Sequence, residues 1–312
     1  MTGTLVSIED IVAAAARVAA VAHRTPLVPA AVPGLFLKCE NLQPMGAFKQ
    51  RGAYNMIAQL SPEARRRGVI TYSSGNHGQA VAMAAQVLGA PAVVVMPETA
   101  PAVKVEGARG YGAEVVFAGR TSFDRKHKAE EMAAARGLTI VPPFDHEWII
   151  AGQGTVGLEI LEQCPDVQTV FVPVGGGGLI AGVSTAIKRT KPGVTVIGVE
   201  PAGAARMSTS LAAGEPVTLE KAASIADGLL TLRPGDLTFA HARTFVDLMV
   251  TVTDEQIASA VRWLFRTARL VAEPSGAATT AAVLAHGAPP GASVAVISGG
   301  NVAPEDFARY IA

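Results

Sequence analysis

The chain predicts an α/β fold built around parallel sheet, and three observations support this. Short β-branched runs alternate with helical patterns along its 312 residues. Apolar residues make up 49% of the chain. Glycine is abundant while aromatics reach only 5%, a composition suited to small side chains packed between helices and sheet.

Ser7 precedes an Ala-rich run carrying Glu9, Asp10 and Arg17, and reads as the cap of an amphipathic first helix. This start lacks the basic opening and apolar core of a secretion signal. Leu35-Phe36-Leu37-Lys38 reads as a strand and residues 49–59 as a helix. The further strands are Gly68–Tyr72, Ala92–Met96, Glu114–Phe117, Thr169–Val174, Thr195–Val199 and Ser293–Ile297. Strands alternating with helices are the signature of parallel sheet with helical crossovers. Residues 80–97 carry no charge, but Gln86, Gly89 and Pro91 break the run. A helix followed by a strand is expected there, not a membrane span. A chain this long holds one large or two modest domains, and Gly68–Phe117 has strands enough for a small module.

Lys plus Arg equals Asp plus Glu at 26 each, with no basic block. Nothing here requires nucleic acid or an anionic membrane. Cys39 and Cys164 stand far apart with no partner spacing, so neither a metal site nor a disulfide framework is indicated. A soluble cytoplasmic protein is expected.

Gly175-Gly176-Gly177-Gly178-Leu179 follows a strand and precedes a helical run from Ile180 to Lys188. Successive glycines let several backbone N–H groups converge on an anion, and the helix start adds a favourable partial charge. The same segment satisfies a dinucleotide fingerprint through Gly176, Gly178 and Ala181, with Glu200 placed as a ribose-binding acid. An NAD-dependent dehydrogenase is therefore an alternative. It leaves Lys49 unexplained, and four glycines in a row suit a monophosphate cup better than a turn past a pyrophosphate. Lys49 follows Gly46-Ala47-Phe48 at a strand-to-helix corner. Desolvation there lowers an amine's pKa and makes it a nucleophile toward an aldehyde; the plain alternative is a solvated surface lysine. Ser73-Ser74-Gly75-Asn76-His77-Gly78 caps a helix expected near Gln79, and Ser298-Gly299-Gly300-Asn301 ends the last strand. Open α/β sheets place ligand contacts at such strand ends.

These motifs occur in order from Leu37 to Val302, together with Ile149–Thr155, Ser224–Leu229 and Val271–Gly276. The whole resembles the fold-type II pyridoxal-phosphate enzymes, in particular the serine/threonine dehydratase and serine racemase group. The resemblance implies a tryptophan synthase beta-like fold of two open twisted α/β domains with the cofactor in the cleft between them. It implies a large domain of residues 1–67 and 146–312 and a small one of 68–145. It implies pyridoxal 5'-phosphate, joined covalently to Lys49, with Phe48, Asn76, Gly175, Gly176, Gly177, Gly178, Leu179 and Ser298 also binding it. Asn76 would meet the ring hydroxyl and Ser298 the pyridine nitrogen; a hydroxyl there makes the ring a weaker electron sink than a carboxylate would. Ser73, Ser74, Gly75, Asn76 and His77 would grip the substrate, with Ser74 a second catalytic group opposite Lys49. His77 has the weakest case and reads equally as a packing residue. Asp227 and Glu273 read as hydrogen-bond anchors.

The implied activity is an ammonia-lyase eliminating water from a 3-hydroxy amino acid, threonine or serine by default. A serine racemase or a threo-3-hydroxyaspartate ammonia-lyase are the alternatives on this scaffold, and a homodimer is the family's habit. Three departures stand out. Ala47 replaces the usual Ser or Thr, which keeps an acidic substrate open, and Arg125 is then a candidate for its second carboxylate. Arg206 stands where relatives place an acid of a divalent-cation site, so metal-independent activity and pairing with Glu200 are expected. The chain ends soon after Asn301, so the regulatory domain of biosynthetic threonine dehydratases, and its feedback control, are expected to be missing.

Overall fold

The computed structural model describes residues 4–73, 75–100 and 102–312, leaving aside the side chains of Val103 and Ser122. Ser74 therefore lies outside the described residues. The chain opens with α1 (Ile8–Val18), β1 (Leu27–Pro29), β2 (Leu35–Cys39), α2 (Lys49–Ala58) and α3 (Pro62–Arg67). Then come β3 (Val69–Thr71), α4 (Asn76–Val87), β4 (Ala92–Met96), α5 (Ala102–Gly110), β5 (Glu114–Phe117), α6 (Ser122–Arg136) and β6 (Thr139–Ile140). The next stretch holds α7 (Glu147–Gln163), β7 (Val167–Pro173), α8 (Gly178–Thr190), β8 (Thr195–Pro201) and α9 (Arg206–Ala213). It closes with α10 (Asp236–Phe245), β9 (Leu248–Val252), α11 (Asp254–Trp263), α12 (Pro274–His286), β10 (Ala292–Ile297) and α13 (Pro304–Ile311). Ser7 caps α1 as expected, in a reciprocal capping box with Asp10.

Two sheets result. One has six strands in the order β1-β2-β10-β7-β8-β9, and the other four in the order β5-β4-β3-β6. Every pairing is parallel except β1 with β2. β10 joins the chain's ends, pairing Val294 with Phe36 on one side and Val170 on the other. β1, β6 and β9 are strands absent from the sequence expectations. All three are edge strands: β1 and β6 run only three and two residues, while β9, Leu248-Met249-Val250-Thr251-Val252, is a readable apolar run with partly exposed residues.

Parallel pairing sends the carboxyl ends of β2, β10 and β7 to one edge, and from it emerge the lysine segment, the Ser298–Asn301 turn and the glycine run. This edge is where such sheets bind ligands. The lysine helix α2 lies close against α7: a Cβ on Gly152 would stand 2.6 Å from the Gly52 Cα. That contact accounts for Gly152; Gly154 instead faces α1 and α8, where a Cβ would stand 2.8 Å from Ile11 and 3.0 Å from the Gly182 carbonyl. Ala53, Met56 and Ile57 of α2 share an apolar cluster with Ala80 and Val81 of α4, Val94 of β4 and Ile149 of α7. The helix carrying Lys49 thus packs into the core beside the smaller sheet.

Candidate active site

Lys49 is the first residue of α2, and its ammonium donates to the Pro143 carbonyl at 2.7 Å. Burial pushes its pKa down to about 8, and among the described residues no carboxylate forms an ion pair with it. The Phe48 ring lies 5.1 Å from Nζ. A desolvated amine without an acid partner is close to its neutral, nucleophilic form.

The corner bearing it is tied to the turn after β10. The Phe48 N–H donates to the Ser298 carbonyl at 3.1 Å, and the Gly300 N–H donates to that of Gly46 at 2.9 Å. Ala47 bridges Gly299 between them. Two motifs some 250 residues apart in sequence are thereby one local structure. Ser298 itself is buried.

The glycine run forms the turn from β7 into α8, with Gly177 at φ 99°. It is a cradle that side chains would fill. A Cβ on Gly176 would stand 2.2 Å from the Phe144 ring, and one on Gly177 2.8 Å from Thr238. The carbonyls of the run are held on the protein side. That of Gly176 accepts from the Thr238 hydroxyl at 2.7 Å, and that of Gly175 from Arg206 Nε at 3.0 Å. Arg206 also donates to the carbonyls of Val174 and Ala204. In a planar trans peptide the N–H points away from its carbonyl. Pinning these carbonyls therefore turns the N–H groups of Gly175, Gly176 and Gly177 to the other side, where an anion can take them together with the amides opening α8.

Arg206 is fully buried, 3.7 Å from Glu200. The Glu200 carboxylate is occupied by the N–H groups of Met207 at 2.8 Å and Ser208 at 2.9 Å, at the start of α9. It caps a helix, so the ribose-binding role of the dinucleotide alternative falls away. Among the described residues no group of His, Cys, Asp or Glu is arranged to hold a metal.

Ser73 and Gly75 lie at the N-terminus of α4, of which Asn76 is the first residue. The Asn76 carboxamide donates to Glu273 Oε1 at 2.7 Å and accepts from Asn301 at 2.8 Å. His77 is buried at 2% exposure, its ring bonded to the Val141 carbonyl at 3.0 Å, and burial lowers its pKa to about 3. Its imidazole is a neutral packing group, leaving only its backbone amide for the loop. Leu179 is buried behind the cup. Arg125 is half-buried on α6.

The residues present fit a phosphorylated aldehyde: an amine short of its usual proton affinity, an anion cup, and a polar pair at the end of β10. A family model described as pyridoxal-phosphate dependent enzyme matches residues 18–300. The chain belongs to this family. An L-threonine ammonia-lyase of Thermotoga maritima is 46% identical over 305 residues, 96% of this chain and 76% of that protein. Maize serine racemase superposes with a TM-score of 0.94 at 38% identity, covering 98% of this chain and 97% of that one. The processed form of threonine deaminase isoform 2 from Solanum lycopersicum gives 0.92 at 39% identity, covering 97% of this chain and 86% of that one. The fold is thus that of the fold-type II enzymes.

Sequence reasoning missed the residues that hold the machinery in place. Pro143 presents the acceptor for Lys49. Asp145 caps α10 across the fold, accepting from the N–H groups of Asp236, Leu237 and Thr238. Thr238 in turn holds the cup. The Asp145 carboxylate contacts a helix more than ninety positions away, so no local pattern marks it.

Proposed function

We propose that this enzyme eliminates water from a 3-hydroxy amino acid, L-threonine or L-serine by default, releasing a 2-oxo acid and ammonia. The observation that carries the reading is the buried amine of Lys49, with no acid paired to it among the described residues, set on the same sheet edge as the glycine cup. Bound pyridoxal phosphate supplies an aldehyde that captures amines and a ring that draws electrons from the α-carbon. The cup residues Gly175–Leu179 take the phosphate, and Lys49 anchors the cofactor, then serves as general base for the α-proton. Ser73, Gly75 and Asn76, with Ser74 between them, offer hydroxyls and amides to the substrate carboxylate. Ser298 would meet the ring nitrogen. Removal of the α-proton and the β-hydroxyl accounts for the water lost, and hydrolysis of the product enamine accounts for the ammonia.

The test is oxo-acid release from a panel of serine, threonine, 3-hydroxyaspartate and phenylserine isomers. Release from L-threonine or L-serine supports the reading, and release from none of the panel refutes it. The likeness to a serine racemase supports racemisation as a second activity, with Ser74 as proton donor on the second face. Ser74→Ala should then abolish racemisation while elimination from the L-isomer survives. A homodimer, a cytoplasmic setting, and the division into residues 1–67 with 146–312 and 68–145 complete the proposal. No helix among the described residues is long and apolar enough to cross a membrane.

A further inference from the structure

Both ends of the Asn76 carboxamide are spoken for, and the partners leave it no choice of orientation. The Asn301 amide nitrogen donates to the Met45 carbonyl at 2.9 Å and to Asn76 Oδ1 at 2.8 Å, which uses both of its hydrogens. Exchanging its nitrogen and oxygen would set an acceptor against two acceptors, so the hydrogen bonds themselves fix Asn301. Asn76 must then present its own nitrogen to Glu273 Oε1, at 2.7 Å. One N–H of Asn76 goes to Glu273, and no described residue takes the other.

Glu273 is built to hold that nitrogen. It stands at the start of α12, is 5% exposed, and its own N–H donates to the Gly299 carbonyl at 3.1 Å. A Cβ on Gly299 would stand 2.3 Å from Glu273 Oε1, so only glycine lets the carboxyl lie over this turn. No ion pair reaches the carboxyl among the described residues. Burial, with Asp227 nearby, pushes its pKa up to about 8, against the weaker opposing pull of Asn76 and Lys104. Near neutral pH it is chiefly the uncharged acid, an acceptor through Oε1 in the same way as a carboxamide oxygen.

We propose that Glu273 and Asn301 are positioning residues that lock the Asn76 carboxamide, leaving its second N–H as the donor offered to the ring oxygen of the cofactor. This rests on the reading of Asn76 as a cofactor contact. The pair acts through Asn76 alone, so the effect depends on reach and not on charge. Glu273→Gln keeps the reach and an uncharged acceptor while removing the ionisable group; Glu273→Asp keeps an ionisable acid and falls one methylene short.

The experiment measures the dissociation constant of pyridoxal phosphate and the visible absorption maximum of the loaded protein. The variants are Asn76→Ala, Glu273→Gln, Glu273→Asp, Asn301→Ala and the double variant Asn76→Ala/Glu273→Asp. Glu273→Asp and Asn301→Ala should weaken cofactor binding about tenfold, the worth of one hydrogen bond of this kind. Both should move the absorption band in the direction Asn76→Ala moves it. Glu273→Gln should stay within about twofold of the native protein, and the double variant should be no weaker than Asn76→Ala, because partners in one contact are not additive. If Asn76→Ala changes affinity and band while Glu273→Asp and Asn301→Ala leave both native, the proposal is overturned and the Asn76 reading stands. Loss in Glu273→Gln equal to that in Glu273→Asp, or additive loss in the double variant, also overturns it. A native Asn76→Ala removes the underlying reading and the proposal with it.

Discussion

His241 shows how a single buried side chain ties stability to pH. Its Nε2 accepts from the Val6 N–H at 3.1 Å, so the proton sits on Nδ1, which donates to the Thr185 hydroxyl at 2.9 Å; that hydroxyl donates on to the Ala181 carbonyl at 2.7 Å. The ring must be neutral to make these bonds, and burial lowers its pKa to about 4, as it lowers that of His77 to about 3. The unfolded chain takes these protons near pH 6.5 and the folded one does not. Their stabilisation is therefore complete above that value and lost as pH falls toward 4 and 3, at about 1.4 kcal/mol per pH unit for each ring. Glu273 works in the opposite sense, its raised pKa making stability fall as pH rises toward 8. A comparison with His241→Gln cancels that contribution. Urea unfolding at pH 7 and pH 5 should show the variant losing about 2 kcal/mol less than the native protein over this interval; equal losses would show that His241 carries no such proton linkage. At this level the sequence was legible where chemistry needs a motif, at Lys49 and the glycines. It was mute on Pro143, Asp145 and His241, whose partners the fold brings from far along the chain.

Behind Lys49, the helix α2 is held by ions. Arg51 is fully buried and forks onto Glu40, with Nε and Nη2 each 2.8 Å from a carboxylate oxygen, and reaches Glu159 at 2.7 Å. Lys38 of β2 meets the same Glu159 and the Thr25 carbonyl. Burial disfavours every charge here, yet Arg51 and Lys38 hold the Glu40 carboxyl below its ordinary range. Removing one partner strands the others without solvent. Arg51→Met should lower unfolding stability by about 3–5 kcal/mol, and Arg51→Lys should recover little because an ammonium cannot make the bidentate fork. A loss below about 1 kcal/mol in Arg51→Met would contradict this. A charged Lys38 inside an otherwise apolar strand was the one sequence sign of the cluster. Arg206 plays a comparable part for the turn into α8, occupying the carbonyls of Val174, Gly175 and Ala204 with a fixed positive charge. Oxygens already taken by a guanidinium leave little for a hard cation to bind. Activity should be unchanged by a chelator or by added magnesium or calcium, and a gain on adding either ion, reversed by the chelator, would contradict that.

Across the molecule, polar contacts join elements of the smaller sheet to those of the larger. Asn76 of α4 meets Glu273 of α12, and Lys104 of α5 pairs with Asp227 at 2.6 Å. Asp227 precedes Gly228, whose carbonyl lies against Gly175 of the cup. Substrate loop, cup and lysine corner are thus held by contacts that cross between the sheets. The strand runs Ala92–Met96 and Glu114–Phe117 were read to the residue, the first because a buried parallel strand is a continuous apolar run and the second, a half-exposed edge strand, from its β-branched Val115-Val116 pair. Their order was not legible: the pairing of Leu35 with Ser293 depends on long-range topology. Nor did the sequence disclose that α2 packs into the cluster beside the smaller sheet, since its apolar residues suit either core equally. What unites these levels is one amine at the meeting of three motifs. Protein loaded with pyridoxal phosphate, fixed with borohydride, digested and read by mass spectrometry should carry the cofactor on the peptide containing Lys49, and Lys49→Ala should carry none. An unmodified Lys49 peptide, with label absent or on another lysine, would contradict the account.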